Sequence, residues 1–338
     1  MKKFIAMLLA LVMVLSLVAC GDKKEDAGTN DSDKDSQDTI TLKMHFVDPE
    51  TAPFVQGGKK IAELVSEATD GRIQIEVLAG GSLGGERDTV ELAMDNSLDI
   101  ATCANSVLTN FIPEMGILDQ AYLWKNADEA HAAVDGKLGD LIKEKAEALG
   151  LHIIGFEESG FRNTFSTKPI QTMADFKGVT IRTMENKYHQ AAFESFGAMP
   201  VAMNYNDVFT ALQQGTIDAC ENATANCLNS GYYEVTKNVT FTQHAFVYIV
   251  LCMSDDAWNK IPEPFLAAVQ EGVEYERNLL NEANDDAIAK LKDLGVNFYD
   301  IDIAELQAAY QAKAEEKGFT FDPEWQAAVD EAIASVAN

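Results

Sequence analysis

Hydrophobic and polar positions along the chain follow two periods in turn. The stretch "TITLKMHFV" (39–47) alternates as a half-buried strand does, and "APFVQGGKKIAELVSEATDG" (52–71) follows the helical period and stops at a glycine. "RIQIEVLAG" reads as a strand, "GERDTVELAMDN" as a helix and "SLDIATCA" as a strand. Strands alternating with helices predict a mostly parallel sheet covered on its faces, an α/β arrangement. The same grammar returns later as "GVTIRTM", "NKYHQAAFESFG", "MPVAM", "NDVFTALQQG" and "TIDACEN". The units "VELAMDNSLDIATCANS" and "FTALQQGTIDACENAT" resemble each other, each a helix, a turn and a strand running into a polar cluster. Two lobes of related build are expected.

After the apolar run "FVYIVLCMS", helical spacing extends from Pro264 to Leu294. At 1.5 Å per residue such a helix would be about 45 Å long, enough to brace both lobes. The expected first lobe comprises 39–157 with 249–285, and the second 158–248 with 286–338. In parallel sheets ligands collect at the carboxyl ends of strands, and two lobes can turn those ends toward one cleft. Asn105, Arg182 and Asn222 all fall at or just past such ends.

The N-terminal pattern is different. Lys2 and Lys3 precede an apolar run from Phe4 to Val18, then Ala19-Cys20-Gly21. The run is short for a membrane span of roughly twenty residues and reads as a secretory signal peptide, 1–19. It resembles a bacterial lipobox, which makes Cys20 the lipidated first residue of the mature protein. Residues 20–38 are Asp, Lys, Glu, Ser, Asn and Gly with almost nothing to bury, a solvated tether. An exported domain anchored to the outer face of the cell membrane follows from these segments.

Composition narrows the partners. A net charge of −28 repels nucleic acid and an anionic bilayer surface. Besides Cys20, Cys103, Cys220, Cys227 and Cys252 show no CxxC or repeated spacing, so buried thiols are expected, with a 220–227 bridge as the alternative. The histidines at 45, 131, 152, 189 and 244 have no ligand spacing, so no metal is expected. No GxSxG, P-loop, GxGxxG or HExxH pattern is present, and no cofactor is expected.

Arginine is scarce. It occurs at 72, 87, 162, 182 and 277, and lysine supplies the other twenty-one of the 26 basic residues. Arg182 lies within a strand pattern and Arg162 beside a turn in "GFRNTFSTKPI". A lone arginine could simply face solvent or pair with Glu185. Lysine, however, serves the ordinary solvated faces, and Arg182 shares its neighbourhood with Asn186, Tyr205, Glu221 and Asn222. A guanidinium fork matches a carboxylate, amides and a carboxylate suit hydroxyls, and the ring supplies a wall. A charge-assisted hydrogen bond nets roughly 1.5–3 kcal/mol while micromolar binding needs about 8, so burial and further bonds must supply the rest.

With "DGRIQIEVLAGGSLGGERDTVEL", "NSLDIA", "FRNTFSTKPIQTMADFKGVTIRTMEN", "FGAMPVAMNYNDVFTALQQGTIDACEN" and "YYEVTK", the chain resembles the substrate-binding proteins of tripartite ATP-independent periplasmic (TRAP) transporters. The resemblance covers nearly everything after the tether. It implies a periplasmic-binding-protein-like fold (class II type), two α/β lobes joined by crossing strands and spanned by a long helix, that closes around an organic acid. Arg182 in "KGVTIRT" matches the arginine that grips the ligand carboxylate, Arg162 a second arginine used with it, Asn222 the asparagine of "DGxEN", and Tyr205 the aromatic wall. On the first lobe the resemblance points to His45 and Asn105 as ligand-facing. "IRTMEN" is closer to the "RVMQN" of sugar-acid binders than to the "RVPN" of sialic-acid binders, so a uronate or related sugar acid is expected, with Glu185, Asn186, Glu221 and Asn222 available for hydroxyls.

A C4-dicarboxylate remains the alternative, with Arg162 or His45 as its second positive group. The expected receptor is a monomer that serves the TRAP membrane subunits, or a sensor in their place. An enzyme acting on acidic sugars with Glu185 and Glu221 as paired carboxylates is a competing class.

Overall fold

The computed structural model describes residues 39–337. The leader, Cys20 and the tether lie outside the described residues. The chain runs through β1 (Ile40–His45), α1 (Pro53–Ala68), β2 (Ile73–Leu78), α2 (Glu86–Met94), β3 (Ile100–Ala104), α3 (Asn105–Leu108), α4 (Ala127–Val134), α5 (Lys137–Glu147) and β4 (Leu151–Phe161). It passes at Arg162 into β5 (Asn163–Ser166), β6 (Thr180–Thr183), α6 (Lys187–Phe196), β7 (Met199–Ala202), α7 (Tyr205–Gln213), β8 (Ala219–Asn222), α8 (Thr224–Asn229) and β9 (Asn238–Thr240). The remainder is β10 (Phe246–Ser254), α9 (Asp255–Trp258), α10 (Pro264–Asp293), β11 (Asn297–Tyr299), α11 (Ile303–Lys317) and α12 (Pro323–Val336).

Two sheets result, in the orders β2-β1-β3-β10-β4 and β11-β9-β5-β8-β6-β7. Each is mixed rather than mostly parallel. Where a helix intervenes the neighbours are parallel, as in β1 with β2 and β3, and β6 with β7 and β8. The antiparallel pairs all involve the strands that cross or flank the crossing, with β10 between β3 and β4, and β5 between β8 and β9. Helical alternation in the sequence reports only the first kind of neighbour. Both sheets keep their helical cover, so the α/β two-lobe architecture stands.

The lobe boundaries expected from sequence shift in two places. Strand β10 belongs wholly to the first sheet from Phe246 onward. Helix α12 packs on α4 and α5, with Trp325, Ala328, Val329 and Ala332 in the first lobe's core, although the sequence placed 286–338 in the second. Their spacing along one helical face shows that the helix is covered, but not by which lobe. The second lobe's sheet carries one apolar layer against α6 and α11, around Phe176, Phe193 and Leu306, and another around Val208, Leu212 and Val239.

The long helix is present as expected, 30 residues of α10 lying against α1, β4 and α8. Its contact with α1 is close. A Cβ on Gly272 would come within 2.3 Å of Ile61 Cγ1, so only glycine permits this approach. On the same face Glu276 of α10 meets Glu157 of β4, both without solvent exposure. Glu276 Oε2 accepts the Glu158 N–H at 2.7 Å, whereas Glu276 Oε1 and both oxygens of Glu157 have no partner. A Cβ on Gly57 of α1 would lie 2.3 Å from Glu157 Oε1. Burial, then the charge of Glu276, pushes Glu157 well above the usual carboxylate range against the pull of Arg277. Burial, then the charge of Glu158, does the same to Glu276.

Candidate functional site

The carboxyl ends of β1, β3, β6 and β8 converge on a cavity between the two sheets. From the second lobe come Arg162 at the crossing, Arg182 of β6, Met184, Tyr205 at the start of α7, Asn222 at the end of β8, and Asn226 of α8. The first lobe contributes Val47 and Asp48 just past β1, Phe54, Glu86 at the start of α2, Ala104, Ser159, and Val247 and Ile249 of β10.

The two arginines are held differently. Arg162 is 3% exposed, and its Nε and Nη2 donate to the Glu221 carboxylate, Nη2 also to the Glu221 carbonyl at 2.6 Å, and Nη1 to Asn222 Oδ1 at 2.8 Å. His244 Nε2 lies 3.3 Å from the same carboxylate, and its Nδ1 is 3.0 Å from the Thr242 hydroxyl. Burial alone would raise Glu221, but Arg162 and His244 overcome it and hold the carboxyl well below its ordinary range. Burial keeps His244 below its usual value despite Glu221, so the neutral ring donates from Nε2 and accepts the Thr242 hydroxyl at Nδ1. Arg182 is equally buried, yet only its Nε is used at hydrogen-bond distance, donating to the Met203 carbonyl at 2.8 Å; its Nη1 is 4.0 Å from Glu221. Most of its five donors are therefore available to the cavity. Register fixes its place, opposite Val201 on β7 and Cys220 on β8.

Facing them are carboxyls that the sequence reading did not single out. The Asp48 carboxyl interacts with the Tyr205 hydroxyl, which bonds Ser230 Oγ. Burial and the neighbouring Glu86 push Asp48 up to about 7, against the lowering effects of Tyr205, Arg162 and Arg182. Glu86 Oε1 accepts the Ala104 N–H at 2.8 Å, and burial raises its pKa. The strand-end rule that selected Asn105 would also have found Asp48, three residues past the end of β1. Glu86 opens a helix, where a carboxylate reads as ordinary N-terminal decoration.

Of the residues singled out from sequence, Arg162, Arg182, Tyr205 and Asn222 line this cavity together. The others do not. Asn105 and Asn186 instead meet at a buried carboxylate, with Asn105 Nδ2 2.8 Å from Asp119 Oδ1 and Asn186 Nδ2 2.6 Å from Asp119 Oδ2. Asn186 also caps α6, its Oδ1 accepting from the N–H of Tyr188 and of His189, and Asn105 Oδ1 accepts from Tyr248. Their amides thus join the lobes beside the cavity. His45 is fully buried, its Nε2 accepting the Leu83 N–H at 3.2 Å and its pKa lowered by burial. It is the last residue of β1, and the chain reaches the cavity only at Val47 and Asp48. Glu221 is the buried partner of Arg162 rather than a group for hydroxyls. Glu185 is exposed at the edge of a smaller adjoining cavity shared with Arg87 and Arg182, while Glu221 is buried against Arg162, so the two carboxylates sit in different surroundings.

Cys103, Cys220, Cys227 and Cys252 are free and buried. Contact with Cys252, then burial, pushes the Cys103 thiol up, and burial, then contact with Cys220, does the same for Cys227. Among the described residues there is no cluster of histidine, cysteine or carboxylate side chains suited to a metal, and no helix long and apolar enough to cross a membrane.

Comparison with known proteins places this geometry. Residues 44–318 match the family described as bacterial extracellular solute-binding protein, family 7. The 2,3-diketo-L-gulonate-binding periplasmic protein YiaO of Escherichia coli is 30% identical over 243 residues, 70% of this chain and 74% of that one. The C4-dicarboxylate-binding periplasmic protein DctP of Rhodobacter capsulatus is 26% identical over 80% of this chain and 83% of its own. A TRAP periplasmic solute-binding protein from Xanthobacter autotrophicus Py2, solved with bound β-D-galacturonate, superposes with a TM-score of 0.82 at 27% identity, covering 87% of this chain and 99% of that one. The chain belongs to the extracellular solute-binding proteins of family 7, the solute receptors of TRAP transporters.

Proposed function

We propose that this receptor captures a sugar acid, a uronate or an aldonate, in the cavity between its lobes and delivers it to the TRAP membrane subunits as a monomer. The observation that carries the reading is the largely unused guanidinium of Arg182, buried beside Arg162 and Asn222 and opposite the carboxyls of Asp48 and Glu86. The ligand carboxylate would take the free donors of Arg182, and its hydroxyls would donate to Asp48 and Glu86 and meet Asn222 and Asn226. The diketogulonate- and galacturonate-binding relatives support that class. The dicarboxylate-binding relative keeps a second reading in view, with Arg162 as the other cation, but Glu221 and Asn222 already occupy most of that guanidinium. Cys20 would tether the mature protein to the outer face of the membrane.

Calorimetric titration of the mature protein with galacturonate, glucuronate and galactonate tests the class. Losing a buried charged hydrogen-bond partner costs about 2–5 kcal/mol, so Arg182→Ala should weaken the best ligand by roughly three-hundredfold at the middle of that range while thermal unfolding without ligand stays cooperative. Unchanged affinity in a folded variant would remove Arg182 as the anchor.

A further inference from the structure

The cavity is asymmetric in charge. Its cations, Arg162 and Arg182, both come from the second lobe, and no lysine or histidine lines it. Glu221 neutralises one of them. Glu86 and Asp48 stand on the first-lobe side, neighbours close enough for each to feel the other's charge. Neither has a lysine, arginine or histidine at salt-bridge distance; Glu86 accepts the Ala104 N–H, and Asp48 has the Tyr205 hydroxyl as a neighbour. With three carboxyls against two guanidiniums, the cavity has one cation with free donors and no second one for a ligand's far end. The unused oxygens of Asp48 and Glu86 accept hydrogen bonds. A hydroxyl satisfies them; a carboxylate would set like charges together away from bulk water, a juxtaposition that carries a large penalty.

We propose that Asp48 and Glu86 form a charge filter that restricts this receptor to acids bearing a single carboxylate, so that oxidising the far terminal carbon of the ligand, the CH2OH of an aldonate or C1 of a uronate, to a second carboxylate abolishes tight binding. The inference rests on the sugar-acid reading and deepens it, because it names the end of the ligand that must stay neutral. It also assigns the side chains by role. Arg182 recognises the acid, and Asp48 and Glu86 reject a second one. The filter depends on pH. Asp48 faces Glu86, Tyr205, Arg162 and Arg182, and with its proton held up to about pH 7 it is protonated in mildly acid solution. There it becomes a donor, and half of the filter is lost.

The test uses monoacid and diacid pairs that differ only at the terminal carbon, D-galacturonate or D-galactonate against galactarate and D-glucuronate or D-gluconate against D-glucarate, titrated calorimetrically into the mature protein at pH 7.5 and 5.5. At pH 7.5 the diacid of the recognised pair should bind at least a hundredfold more weakly than its monoacid, and the gap should narrow at pH 5.5. Asp48→Asn and Glu86→Gln keep shape and remove charge. Each should bind the diacid at least tenfold more tightly than wild type does, while the monoacid weakens, a change of ratio that a merely structural role would not produce. A wild-type protein that binds the diacid as tightly as its monoacid overturns the filter and leaves the organic-acid receptor standing. Loss of both ligands in equal proportion in two variants that still unfold cooperatively also overturns it. Binding of neither member of either pair overturns the sugar-acid reading and the filter with it.

Discussion

Replacing Glu157 by glutamine should change how stability varies with pH, and in a direction that can be worked from the structure. Glu157 and Glu276 are fully buried, three of their four carboxyl oxygens have no partner, and both are raised above the ordinary range. The charged groups around them are Glu158 on β4, which raises Glu276, and Arg277 on α10, whose guanidinium is divided between Asp135 and the Phe156 carbonyl. A carboxyl raised in the folded state contributes stability that is fully present below its unfolded pKa, near 4.3, and is lost as pH rises through the folded value. Each extra proton held by the folded chain makes stability fall by about 1.4 kcal/mol per pH unit. Between pH 5.5 and 7.5 one such proton, if held throughout, amounts to at most about 3 kcal/mol, or up to roughly 5 °C in Tm for a domain of this size. Glu157→Gln removes the proton that Glu157 holds and sets an amide beside Glu276 Oε1, while the burial that raises Glu276 is unchanged. Calorimetric unfolding of both proteins at the two pH values isolates the effect, since all other carboxyls are shared. The wild type should lose up to about 5 °C more than the variant over this interval. Parallel pH dependences would refute a proton held by Glu157.

Two further outcomes follow from groups already placed. Glu221→Ala strands the buried Arg162 guanidinium and should cost about 3–5 kcal/mol in denaturant unfolding; a loss below 1 kcal/mol would show that the ion pair does not organise the site. The Glu221 contribution has the opposite sign to that of Glu157, because its folded pKa is depressed: it is present above an unfolded value near 4.3 and lost as pH falls. Separately, Cys20→Ala should release the protein from the membrane fraction into the soluble exported fraction, and membrane retention of that variant would dismiss the lipid tether.

Much of the fold was legible because each element carries its period in its own residues. The sequence located β6, α6, β7 and α7 by alternation between polar and apolar positions, and α10 by its uninterrupted helical spacing. Sheet order was less visible. Strand β10 inserts between β3 and β4 by pairing residues separated by about a hundred and fifty positions in the case of β3, and no local period encodes such a neighbour. In the site, Arg162 and Arg182 stood out because lysine serves most other cationic positions. Asn186 was misjudged for an equally physical reason, since an asparagine ahead of a helix is its cap, and here the cap's amide also meets Asp119 of the other lobe. Asp48 and Glu86 were hidden among 54 acidic residues, where no count of carboxylates distinguishes a pair lining a cavity from a solvated surface.

The four described cysteines have a consequence for how the protein matures. The thiolate is the form that attacks a disulfide or meets an oxidant, and at Cys103 and Cys227 the structure disfavours that form while each thiol rests against another inside the core. The fold is held by packed apolar layers and buried ion pairs, with no cross-link among the described residues. A chain of this kind can reach its final shape after export without a thiol oxidase or a disulfide isomerase, and equally well where no oxidant is available. It can also be produced in a reducing cytoplasm with its cleft assembled.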